Sequence, residues 1–171
     1  MRDLSPNHYE RAFENWLLDH HVEYVRADEH RRPGPSCKSV KNFDFLLSLR
    51  PDRKVIVEVK GRTFLGTTVT ELTGFECWVT RDDIESLQVW RRVLGANHEA
   101  VFVFAYRVAK VDVDFDGYDA LTCGPDRYLF FCIPLDGYCR HMKRRSPKWR
   151  TMTLSAESFR QCAVSLSAFV L

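Results

Sequence analysis

Asp44, Glu58 and Lys60 are the residues of this chain whose types and spacing could do chemistry. The run Lys54–Arg62 (KVIVEVKGR) is short, rich in β-branched residues and interrupted by Gly61, and it predicts a strand. Alternation across a sheet puts Val55, Val57 and Val59 on one face and Ile56, Glu58 and Lys60 on the other. Both faces begin apolar, as in a strand covered on both sides. A carboxylate and an ammonium at the end of such a strand are partly desolvated, which is costly unless a metal, a partner or a substrate compensates. Upstream, Phe43–Leu49 (FDFLLSL) predicts a second apolar strand with Asp44 near its start, and Arg50-Pro51-Asp52-Arg53 reads as the turn between them. Antiparallel pairing then brings Asp44 and Glu58 together at the end away from the turn. Two carboxylates at low dielectric repel strongly unless a divalent cation sits between them. Hard cations such as Mg²⁺ are held by one or two carboxylates together with phosphate oxygens. Two acids and a lysine around such an ion are what phosphodiester hydrolysis requires.

Asp44, followed after a short hairpin by Glu58-Val59-Lys60, resembles the signature of the PD-(D/E)XK nuclease superfamily, which includes restriction endonucleases, archaeal Holliday-junction resolvases and RecB-type nucleases. Phe43 stands where the signature has proline. The resemblance implies a restriction endonuclease-like α/β (α+β) core, a central mixed sheet of about four strands flanked by helices in the order αβββαβ. It implies Mg²⁺ or Mn²⁺ held by Asp44, Glu58 and the backbone carbonyl of Val59, with Glu10 on the first helix completing the shell. Lys60 would orient or polarise the attacking water, and cleavage would leave a 5′-phosphate. Gln88 on the second helix resembles a polar residue that several members bring toward the site, and Arg62, just beyond the lysine, is placed to touch phosphate. DNA is the implied partner, RNA is an open alternative, and a homodimer fits the family. A fold of this kind that no longer cuts, serving as a nucleic-acid-binding or scaffolding protein, is the second reading.

The elements that must position these residues follow along the chain. Ser5-Pro6 predicts a helix start, and Tyr9, Phe13, Trp16, Leu17 and His20 carry an amphipathic helix to about residue 21, with Glu10 and Glu14 flanking its apolar stripe. Residues 22–27 predict a short strand, 31–36 a loop, and 63–76 a loop or weak hairpin. Thr80 caps a second helix that Gly95 closes; Asp82 and Asp83 suit its N-terminal dipole, and Ile84, Leu87, Trp90 and Leu94 form its buried stripe. Trp78 just before it reads as core. Residues 100–106 (AVFVFAY) predict a strand inside a sheet. Beyond them, 111–115 predicts an exposed edge strand turning at Asp116-Gly117, 128–134 and 151–154 predict strands, and Ser155 caps a final helix through Leu166. Residues 112–117 match the first half of a calcium loop, but its twelfth position is Cys123 and not glutamate, which argues against calcium.

At 171 residues the chain is expected to form one domain, a nuclease-like core over 5–106 with 107–171 packed on it. No apolar run is long enough to span a membrane and the N-terminus lacks the apolar stretch of a signal peptide, so a cytoplasmic protein with reduced thiols is expected. A net charge of +2 is too small to argue for nucleic acid by itself. Its distribution says more: Lys143, Arg144, Arg145, Lys148 and Arg150 lie within one acid-free stretch beside Tyr138 and Trp149, which suits contact with a phosphate backbone.

Overall fold

One mixed sheet divides the apolar residues of this chain into two cores. The computed structural model describes residues 8–27 and 40–171; the predicted cap at Ser5-Pro6, the loop 31–36 and Cys37 lie outside them. The elements are α1 (His8–Asp19), β1 (Tyr24–Arg26), β2 (Phe45–Arg50), β3 (Arg53–Phe64), β4 (Val79–Thr80), α2 (Arg81–Leu94), β5 (His98–Val108), β6 (Ala120–Cys123), β7 (Asp126–Pro134), α3 (Leu135–His141), β8 (Lys143–Ser146), β9 (Thr151–Thr153), α4 (Ala156–Cys162), β10 (Val164–Ser165) and α5 (Leu166–Val170). The seven-stranded sheet runs β1-β2-β3-β5-β7-β10, with β6 paired to β7, and a three-stranded sheet runs β4-β9-β8. Among the described residues no helix is long and apolar enough to cross a membrane.

β2 and β3 form the expected antiparallel hairpin, with Phe45 opposite Val57 and Leu47 opposite Val55. β3 and β5 are parallel from Lys54↔His98 to Phe64↔Val108. Parallel neighbours need a crossover, and that crossover carries α2. Alternation in β3 then sorts its side chains. Val55, Val57 and Val59 join Phe13, Trp16 and Leu17 of α1 on one face, where Leu166 of α5 also packs. Ile56 joins Ile84, Leu87 and Trp90 of α2 on the other, with Tyr138 of α3 and Phe159 of α4. β5, covered on both faces, is buried from Ala100 to Tyr106.

The last third departs from expectation in four places. Residues 111–115 form no strand, because Arg127 takes the carbonyls of Lys110, Val111 and Val113 that a ladder would have needed. The strand pair is instead β6–β7, turned at Gly124 with φ 59°. Residues 135–141 form α3, whose Tyr138 is fully buried, its hydroxyl 2.7 Å from the Cys77 carbonyl, and does not flank the basic stretch. Residues 143–146, three of them basic, are strand β8, paired with β9. The final helix breaks at Ala163, because Val164 and Ser165 extend along the open edge of β7 and Ser165 then caps α5.

Gly61 sits where α1 crosses β3. A Cβ on it would come 2.0–2.5 Å from ring atoms of Tyr9, closer than any packing tolerates. The missing side chain lets the N-terminal turn of α1, and with it Glu10, lie against the end of β3. Gly61→Ala forces the ring and helix outward, an overpacking change that costs about 1–3 kcal/mol. Thermal denaturation of the variant is expected to show a melting temperature lower by roughly 2–12 °C; an unchanged value would show that α1 is not seated on this glycine.

Candidate active site

Asp44 occupies the bend just before β2. Its N–H donates to the Val57 carbonyl at 2.9 Å and its own carbonyl accepts from Ala27 N–H at 3.0 Å, so its backbone is pinned from both sides. Continuing the β2–β3 register by one residue sets it across from Glu58. Its side chain runs along the strand edge, where Oδ2 accepts the Val59 N–H at 2.7 Å. The carboxylate thus takes the place of a partner strand where the β2–β3 ladder stops.

Lys60 lies on the Glu58 face of β3. Its Nζ is 2.9 Å from Glu58 Oε1 and 3.0 Å from Asp83 Oδ2. Asp83 is the third residue of α2 and completes a capping box: Thr80 Oγ1 accepts the Asp83 N–H, and Asp83 Oδ2 accepts the Thr80 N–H. Its other oxygen is 3.1 Å from Lys41 Nζ, and the side chain is only 3% exposed. Lys41 is fastened to the same helix through its backbone, its N–H to Ser86 Oγ at 3.0 Å and its carbonyl to Trp90 Nε1 at 2.9 Å. The segment leading into Asp44 is therefore fixed on α2, and the hairpin and the helix meet at one cluster of charge.

Charge in this cluster is uneven. Burial pushes the Asp44 carboxyl up to about 8, helped by the nearby Glu58 charge, against the pull of the Val59 N–H and Lys60. Burial likewise raises Glu58, although Lys60 opposes it. Burial disfavours the Lys60 ammonium, but Glu58 and Asp83 outweigh that and hold it charged. Asp83 is the reverse: burial would raise it, yet Lys60, the Thr80 N–H and Lys41 bring it below the ordinary carboxylate range. Lys60 and Asp83 are thus held as ions, Glu58 is raised despite its contact with Lys60, and Asp44 contacts no cation among the described residues.

That arrangement tests the expected cation. The donors are hard oxygens, two carboxylates beside the Val59 backbone, and they suit Mg²⁺ or Mn²⁺. Among the described residues no group of three or more His, Cys, Asp or Glu side chains converges as a cage. Mg²⁺ does not need one, since it keeps several waters and uses few protein ligands.

The remaining predicted residues separate. Glu10 is 2.9 Å from Arg26, which also holds Glu14 at 2.8 Å; its charge nonetheless bears on Asp44. Arg62 is not presented to phosphate. Its guanidinium lies 3.9 Å from the centre of the Trp78 ring and donates to the Gly61 and Trp78 carbonyls. Gln88 turns to α3, where its amide meets Cys139 Sγ at 3.8 Å. Trp78 is half-buried, not core, and Arg145 also reaches its ring, at 5.0 Å. Lys143, Arg144, Arg145 and Lys148 are exposed on and just beyond β8. That strand is joined through β9 to β4, immediately before α2. From sequence alone Asp83 reads only as a charge suited to the helix dipole, and Lys41 carries no signal of a role. The Thr80-x-x-Asp83 capping box was the available signal, because it fixes where the carboxylate points.

No family model and no curated protein matches the sequence. Among solved structures the chain is similar to Hjc, a Holliday junction resolvase from the archaeal hyperthermophile Archaeoglobus fulgidus, with a TM-score of 0.54 at 13% identity over 96% of this chain and 93% of that one. At this identity the likeness shows the fold, a nuclease-like mixed sheet flanked by helices.

An acid whose folded-state pKa is raised keeps more protons folded than unfolded between the two values, so stability falls as pH rises across that window. For Asp44 the window runs from 3.8 to about 8. Denaturant unfolding in EDTA is expected to show wild type losing stability from pH 5 to pH 8.5, with a shallower fall in Asp44→Asn, whose amide oxygen still accepts from Val59. Equal slopes in the two proteins would contradict the buried-acid assignment.

Proposed function

We propose that this chain is a Mg²⁺- or Mn²⁺-dependent nuclease that hydrolyses phosphodiester bonds in DNA. The observation that carries the reading is the placement of Asp44, Glu58 and Lys60 at one end of the β2–β3 hairpin, where Glu58 shares Lys60 with Asp83 and Asp44 contacts no cation among the described residues. Asp44, Glu58 and the Val59 carbonyl would hold the cation, and Glu10 would add a ligand only by leaving Arg26. When bound, the cation supplies Lewis-acid polarisation of the phosphate and a more acidic water.

The role of Lys60 follows from its surroundings. Glu58 and Asp83 keep it an ammonium, so it is a donor and not a general base. It can orient a water and stabilise charge developing on phosphate oxygens. Asp83 and Lys41 are positioning residues, fixing the lysine and the approach to Asp44. Lys143, Arg144, Arg145 and Lys148 would bind backbone phosphates, on a strand anchored beside the start of α2. The likeness to a resolvase fold supports DNA as the substrate class.

Purified protein is expected to cleave DNA with Mg²⁺ or Mn²⁺ and not in EDTA, and Lys60→Ala is expected to lower the rate by at least about a hundredfold. Cleavage that persists in EDTA and in the variant would refute the assignment. The Glu58–Lys60 pair closes the site on itself, which favours a second reading, a module that binds without cutting. Calorimetry separates the two: Mn²⁺ binding that disappears in Asp44→Ala supports the enzyme, and no Mn²⁺ binding by wild type supports the module.

A further inference from the structure

Where β8 and β9 meet the first residue of α2 there is a cleft of about 160 Å³, lined by Arg81, Arg144, Ser146, Arg150 and Thr151. Its volume is far below the roughly 300–1,000 Å³ of pockets that enclose whole small molecules. It suits a single small group on a larger ligand. Arg81 and Arg144 are exposed and pair with no acid among the described residues. Arg150 is 3.4 Å from Asp82 and 4.0 Å from Glu85. Three guanidinium charges against two carboxylates leave one net positive charge. A phosphodiester carries one negative charge, whereas a terminal phosphate carries nearly two.

Two further observations mark the cleft as more than a basic surface. Thr151 is only 3% exposed, and its Oγ1 is buried with no hydrogen-bond partner. Buried hydroxyls are ordinarily paired, so this one is short of an acceptor. Arg150 adopts φ 50°, a conformation non-glycine residues rarely take. It is held there by its N–H to the Pro147 carbonyl at 3.3 Å and its carbonyl to the Arg81 N–H at 2.9 Å. That second bond ties the hairpin to the N-terminus of α2, two residues before Asp83.

We propose that this cleft seats one internal phosphodiester of a nucleic-acid strand and so sets the strand's register against Asp44 and Glu58; the inference rests on the reading that the chain acts on nucleic acid. Arg81 and Arg144 supply charge, and the unpartnered hydroxyl of Thr151, which lines the same cleft, is the donor to a phosphate oxygen. The chemistry distinguishes this site from the rest of the basic strand, because it combines a neutral donor with cations.

The test is fluorescence anisotropy of a labelled DNA duplex in EDTA, with salt titrated and cleavage assayed separately in Mn²⁺. Arg144→Gln is expected to lower the slope of log affinity against log salt by about 0.9. Thr151→Val is expected to weaken binding roughly tenfold at unchanged slope. The melting temperature of free Thr151→Val should not fall, since its hydroxyl has no partner to lose. Duplexes with 5′-hydroxyl and 5′-phosphate ends should bind equally. Thr151→Val binding as tightly as wild type, or a preference for the 5′-phosphate end that this variant abolishes, overturns the proposal. Wild type that shows the expected pattern but does not cut supports the cleft and removes the catalytic reading. Wild type that cuts while Thr151→Val binds normally removes the cleft alone.

Discussion

One ammonium joins the two halves of this site. Lys60 Nζ reaches Glu58 on its own strand and Asp83 on α2, and Asp83 in turn closes the first turn of that helix. A buried ion pair of this kind gains little over an apolar contact, yet removing one partner strands the other charge at a cost of about 3–5 kcal/mol. Its contribution is therefore geometric. It fixes the distance between sheet and helix at a charged part of the interior, and it leaves Asp44 as the carboxyl with no cation in contact among the described residues.

The geometry around Asp44 rests on a similar economy of hydrogen bonds. Where β2 stops, Val59 would offer an unpaired N–H on the edge of β3. The Asp44 carboxylate meets it, and the backbone of the same residue is bonded to Val57 and Ala27. A side chain that satisfies a strand edge is held as firmly as a strand. The acid is thus preorganised by the sheet itself, with α1 kept close through Gly61 and Tyr9.

Much of this could be read from local patterns. The alternation in residues 54–62, the turn composition at 50–53 and the Thr80 cap are each decided within a few residues, and the hairpin and α2 follow from them. Roles that depend on contacts across the fold were not legible. Asp83 looks like a dipole charge until β3 is laid beside it. Arg62 looks available until Trp78 covers it, and Gln88 until Cys139 faces it. In the last third, Arg127 withdraws the carbonyls of Lys110, Val111 and Val113 from any ladder, and β7 recruits Val164–Ser165 from what periodicity reads as one helix.

The pairing of β7 with β5 also shields the central strand of the sheet. β5 is apolar on both faces, and β7 covers its outer edge from Val101 to Arg107. A version ending near Tyr106 would leave a long, flat, hydrophobic edge free to pair with another copy of itself, the architecture that seeds aggregation. The segment after β5 therefore protects the central strand by pairing with it. The same segment carries the basic strand β8, so one stretch of chain both closes the sheet and presents positive charge.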